Sequence, residues 1–280
     1  MAAADRVSAL ARVVPLAPLR AGREADGGTD LPGGEARTRP LVEHLEELVV
    51  HLRAHGPRPD LRRCLDQALG AWAGALIATH RTRVTALTPD APLPWVLTDD
   101  PVPAWLDDLP TVAGPVWAVR QHPGVQRALE AARHTWSAVQ LVHGDCTGDH
   151  VLVPLEGDGE GRLARLTPGT DDLGVGTGGC GDPRWDLATA LDWLATTLSP
   201  ALDPTWDLDP VAGLTRVYRE RGGDALPSRA LAVARTVATA VEWSACVLDG
   251  ADADEDDLAW LAGLWTRPLE LVGSARPPVR

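Results

Sequence analysis

The chain has 280 residues and 45% apolar content, which suits one large domain or two lobes around a sizeable core. Its formal net charge of −13 argues against broad nucleic-acid binding, which needs a cationic surface, and is compatible with a cationic small molecule or peptide as partner. The four cysteines (Cys64, Cys146, Cys180 and Cys246) are widely spaced with no CxxC pair, which argues against a zinc site or a disulfide framework and fits a reducing cytoplasm.

The first 20 residues carry arginines throughout and lack the long apolar stretch of a secretory leader. One short strand is predicted at 12–19, and 22–40, rich in Gly, Pro and Arg, reads as loop or disorder. Leu41, Val42, Leu45, Leu48, Val49 and Leu52 then recur with the spacing of one helix face, predicting a helix over 41–55. After the break GPRP a second helix is expected at 60–80, with a stripe of Leu65, Leu69, Trp72, Ala73 and Leu76.

Residues 88–123 hold many prolines and three tryptophans and read as a packed connecting segment. A helix over 124–136 leads into a strand at 139–143. Strands at 151–155 and 163–166 are expected to form a hairpin around the turn GDGEG. A glycine-rich loop at 174–181 is followed by helices near 185–198, 209–221, 227–248 and 255–271. The most apolar of these is interrupted by Arg235 and Glu242, so it is expected to be a buried helix and not a membrane span.

The most informative stretch is VHGDCTGDHVLV, 142–153, which places Asp145 on a sharp loop between two short apolar runs. The sequence contains no lysine, asparagine or phenylalanine, so all 26 basic residues are arginine. His143-Gly144-Asp145, then His150, then Gly181-Asp182-Pro183-Arg184-Trp185-Asp186-Leu187-Ala188 together resemble the aminoglycoside phosphotransferase and choline kinase family. The resemblance covers about 60–280. It implies an α+β, kinase-like fold with a short, degenerate N-terminal lobe over 1–59 and a mainly helical C-terminal lobe over 60–280.

The resemblance also implies roles. Asp145 would be the catalytic base that orients and deprotonates an acceptor hydroxyl, His143 would brace the loop, and Asp186 would hold the loop backbone from the next helix. ATP and Mg²⁺ are the implied cofactors. His150 stands where the family usually has asparagine; it reads either as an altered metal ligand, since Mg²⁺ prefers oxygen, or as a structural histidine. For the metal carboxylate the chain offers Asp171 first and Asp172 second, both open to a plain turn reading beside Pro168.

Other features weigh less. The glycines of 174–181 match GxGxxG but follow no buried strand, and read as a flexible insertion near the active site. Glu43, Glu46 or Glu47 could mimic the family's N-lobe glutamate, and Arg12, Arg20 or Arg23 its ATP lysine, although guanidinium geometry differs from ammonium. The acidic run 252–257 reads as a helix start with solvated charge, or as a contact for a cationic substrate.

The expected function is an ATP-dependent phosphotransferase acting on a hydroxyl of a secondary metabolite, or of peptide Ser/Thr in natural-product peptide biosynthesis, with a protein partner completing the nucleotide lobe. Two alternatives stand beside it: a non-catalytic pseudokinase scaffold that binds a peptide or partner enzyme, and an aminoglycoside-type resistance kinase. No nucleic-acid or membrane partner is expected.

Overall fold

The computed structural model describes residues 38–98, 119, 121–154, 164–167 and 177–249. The expected strand at 12–19, the arginines at 12, 20 and 23, the turn GDGEG, Asp171 and Asp172, the acidic run at 252–257 and the helix at 255–271 lie outside these residues.

The fold is α+β with helix predominating. A short strand β1 (Thr38–Pro40) leads directly into α1 (Leu41–His55), and α2 (Pro59–His80) follows. Helix α1 buries Leu41, Leu45, Leu48, Val49 and Leu52, the stripe its sequence spacing defines. It ends at Gly56, whose φ of +71° suits glycine and whose amide closes on the Leu52 carbonyl at 2.8 Å. Helix α2 starts with Pro59 in its first turn, where no amide donor is needed. Its buried stripe runs through Leu65, Leu69, Trp72 and Leu76 to His80.

Beyond the connection, a 3₁₀ turn (Trp95–Leu97) and α3 (Pro123–His134) precede β2 (Gln140–Val142). The loop after β2 closes with a 3₁₀ turn (Gly148–His150), which runs straight into β3 (Val151–Pro154), and β4 (Arg165–Leu166) follows. Last come β5 (Gly179–Gly181), α4 (Pro183–Trp193), α5 (Pro210–Glu220) and α6 (Arg229–Asp249). Three N-termini repeat one device. Asp182 and Asp209 cap α4 and α5 through their side chains, and Ser228 caps α6, with Pro183 and Pro210 next in line for the first two.

Among the described residues two small antiparallel sheets hold the loop between them, one of order β1-β3-β4 and the other pairing β2 with β5. The two strands of the expected hairpin pair antiparallel, with Val151 opposite Leu166 and Leu152 opposite Arg165. Two expectations need correction. The end of the 22–40 loop is a strand, because Thr38–Pro40 gains its hydrogen bonds from β3; Pro40 is tolerated because β1 is an edge among the described strands. The end of the 174–181 loop is β5, where a Cβ on Gly179 would lie 2.5 Å from the Pro89 carbonyl oxygen and one on Gly181 2.6 Å from Val142 Cγ2. Glycine there serves close packing of strands, not flexibility.

Among the described residues the core has two parts. One joins α1, α2, Cys146, Val151, Leu187, Leu191 and α5, with Trp72 fully buried at its centre. The other joins Val96, Leu97, α3, Trp185 and α6. Helix α4 lies between them and contributes to both, so whatever α4 carries on its first turn is fixed from two sides.

Candidate functional site

The loop that follows β2 turns at Gly144, with φ of +88°. Glycine adopts that conformation readily. Packing demands glycine as well, since a Cβ here would overlap the Thr177 carbonyl group. The Thr177 hydroxyl donates to the His143 carbonyl oxygen at 2.9 Å, closing the turn from the other side.

Asp186, on the first turn of α4 and fully buried, accepts hydrogen bonds from the backbone amides of His143 and Gly144, both at 2.8 Å and one on each carboxylate oxygen. His80 Nε2 lies 3.2 Å from Asp186 Oδ2, and His80 Nδ1 lies 3.3 Å from the Tyr218 hydroxyl. A carboxylate only accepts, so Nε2 donates to Asp186, and Nδ1 shares a hydrogen bond with the Tyr218 hydroxyl. Burial pushes the Tyr218 phenol up to about 12, so it keeps its proton. Three elements thus converge on one carboxylate, α2 through His80, α4 through Asp186 itself, and the loop through its backbone.

His143 is nearly buried. Its Nε2 stands 2.6 Å from the Thr167 carbonyl oxygen and its Nδ1 3.3 Å from the Asp145 amide. A carbonyl accepts and an amide donates, so the bonding assigns the proton to Nε2. His143 therefore ties the Asp145 backbone to the residue just after β4, a bracing geometry.

His150 closes the loop. Its Nδ1 lies 2.8 Å from the Asp145 carbonyl oxygen, 3.2 Å from Thr147 Oγ1 and 3.5 Å from Asp145 Oδ2. The carbonyl bond makes Nδ1 the donor, which leaves the lone pair of the neutral ring on Nε2. The His143 and His150 rings lie 5.2 Å apart. The Thr167 amide donates to the His150 carbonyl at 2.9 Å, so Thr167 touches both histidines.

The Asp145 carboxylate is 37% exposed. It stands at the tip of a loop whose interior is closed: Cys146, the next residue, is fully buried and receives the Trp72 indole N–H at 3.4 Å. Burial, then Asp186, pushes the Cys146 thiol well up, so it stays protonated and packs as a small hydrophobe. Gly148 sits on the Trp193 indole, where a Cβ would come to 2.7 Å; Trp193 ends α4 just before a π-helical segment (Leu194–Leu198).

A polar cluster joins α4 to α6. Asp192 accepts from Thr236 and Thr239 at 3.0 and 2.5 Å, while Arg235 bonds Thr239 and Glu242 and lies 5.6 Å over the Trp185 ring. Burial opposes the Arg235 charge, but Glu242, Asp192 and Asp145 outweigh it and raise the guanidinium further. Burial in turn raises the Asp192 carboxyl against the pull of Arg235 and the two threonines.

The implied metal meets a different donor set. Among the described residues no group of three or more His, Cys, Asp or Glu side chains is placed to hold a metal ion, and the two carboxylates expected to do so lie outside them. His150 offers a nitrogen where Mg²⁺ takes oxygen, so the described donor does not fit Mg²⁺. Of the N-lobe glutamate candidates on α1, Glu47 is ion-paired with Arg39 at 2.6 Å, while burial, then Asp149 and Glu43, raise the Glu46 carboxyl. A cavity of about 630 Å³ between α2 and α5, lined by Arg62, Asp66, Asp209 and Arg216, includes none of the loop residues.

His80, Thr167 and Thr177 escaped the sequence reading. His80 did leave a signal, because it continues the 72–76–80 register of the apolar stripe on α2 and so is a polar side chain on a buried face. The two threonines act through contacts that only the folded chain makes. No described helix is long and apolar enough to cross a membrane.

No family model matches this chain, and no curated protein matches it. Among solved structures it is similar to a choline/ethanolamine kinase family protein from Mesorhizobium loti, at 18% sequence identity and a TM-score of 0.42, over 85% of this chain and 70% of that one.

Proposed function

We propose that this protein is a phosphotransferase that moves the terminal phosphoryl group of ATP to a hydroxyl, with Asp145 as the base. The observation that carries this reading is the half-exposed Asp145 carboxylate on a loop pinned at consecutive amides by Asp186. Phosphoryl transfer asks the protein mainly to position and to stabilise charge, so a carboxylate held in fixed register suits it. In the step itself the acceptor oxygen forms its bond to phosphorus as the bond to ADP breaks, and the hydroxyl proton passes to an Asp145 carboxylate oxygen. His143, held in one tautomer by the Thr167 carbonyl, fixes the Asp145 amide and so the direction of the side chain. No step is assigned to a metal.

The acceptor class we favour is a hydroxyl of a secondary metabolite or a Ser/Thr side chain of a natural-product peptide, with a protein partner helping to grip the nucleotide. A second reading, a pseudokinase scaffold that binds a peptide or partner enzyme, draws on His150, because an imidazole replaces the oxygen donor that Mg²⁺ would need. Incubation with γ-labelled ATP and a panel of hydroxylated metabolites and Ser/Thr peptides, with and without proteins copurified from the native host, separates the two. Label transferred to an acceptor supports the enzyme; nucleotide binding absent under every condition supports the scaffold.

A further inference from the structure

Helix α1 carries a feature that the phosphotransferase reading does not use. His51 and His55 are one helical turn apart, so their side chains emerge on the same face. Both are exposed, and their rings stack at 6.2 Å between centroids with 19° between planes. Among the described residues neither ring has a hydrogen-bond partner. The neighbouring polar groups are otherwise engaged: His44 and Glu47 bond Arg39, and Arg53 donates to the Ala201 carbonyl.

The backbone under the pair is anchored, because the adjoining face of α1 buries Leu45, Leu48, Val49 and Leu52. His55 is the last residue of the helix, where the unpaired carbonyls and the macrodipole favour positive charge. Two neutral imidazoles at this spacing are also how a helix presents paired nitrogen ligands to zinc in His-x-x-x-His sites.

We propose that His51 and His55 form a bidentate surface site for a divalent transition ion that prefers imidazole, namely Cu²⁺, Ni²⁺ or Zn²⁺. Two ligands leave coordination positions open to water or to another molecule. The site shares no residue with the loop that carries Asp145, and nothing in it suits Mg²⁺.

Calorimetric titration of the full chain with each metal chloride near neutral pH tests the proposal. The expected result is one binding event with Cu²⁺ tighter than Ni²⁺ and Zn²⁺, and none with Mg²⁺. His51→Ala and His55→Ala should each weaken it by at least about tenfold, since losing even an outer-shell partner of a ligand typically costs that much. His150→Ala should leave it unchanged. Absence of transition-metal binding, or binding that survives both helix substitutions and falls with His150→Ala, would overturn the assignment.

Discussion

Asp186 and His143 are joined by a 2.8 Å hydrogen bond from the His143 amide to the Asp186 carboxylate, 43 positions along the chain, and the next amide bonds the other oxygen of the same group. This contact sets where Asp145 stands. Replacing Asp186 with alanine leaves one buried amide, one part-buried amide and the buried His80 ring without their acceptor. We expect a loss of about 3–5 kcal/mol in urea unfolding, because breaking a buried polar cluster strands its remaining members. Asp186→Asn should recover part of it, since one amide keeps an oxygen to bond. Equal stability for wild type and Asp186→Ala would show that the loop is held some other way.

Gly144→Ala tests the turn itself. The positive φ and the overlap with Thr177 act together, so the loss should reach or exceed the roughly 1–3 kcal/mol typical of a strained backbone position. Gly56→Ala, with φ of +71° but nothing within 4 Å of the added Cβ, is the control. It should cost clearly less in the same denaturation assay.

His143 should be a neutral imidazole with its proton on Nε2. Nitrogen-15 NMR of histidine-labelled protein reports this directly, because protonated and bare ring nitrogens differ widely in shift. A proton on Nδ1 would contradict the pairing with the Asp145 amide and the Thr167 carbonyl.

Asp192 gives the stability a pH dependence of known sign. Its folded pKa is raised, chiefly by burial, so the folded state favours the protonated form more than the unfolded chain does. The associated stability is fully present below the unfolded value of about 4 and is lost as pH rises through the raised folded value. Asp192→Asn removes that titration. Measured by urea unfolding between pH 4 and 8, the variant should gain stability relative to wild type as pH rises. A constant difference, or one of opposite slope, would refute the stated shift.

Much of this site is legible in the residues because its chemistry is local in sequence. The run His143-Gly144-Asp145 lies on one turn, and Asp186 follows a Gly-Asp-Pro helix start that needs no tertiary information. The helix faces of α1 and α2 follow from spacing alone. Thr38–Pro40 could not be read as a strand, since three residues carry little propensity and the pairing comes from β3, more than 100 positions away. Gly179–Gly181 misled in the opposite sense: glycine suggests a mobile loop, yet the neighbouring Pro89–Ala91 backbone and Val142 leave no room for a side chain. His80 was missed because a histidine ending an apolar stripe looks like a boundary residue until its carboxylate partner is placed beside it.

The most direct measurement compares wild type with Asp145→Asn in transfer of γ-phosphate to an accepting hydroxyl, alongside the unfolding curve of each. Loss of a positioned base should lower the rate by about 10²–10⁴-fold while the unfolding midpoint stays in place, because the carboxylate is only partly buried and the loop is held by other groups. Transfer that proceeds at the wild-type rate without this carboxylate would contradict its role as the base.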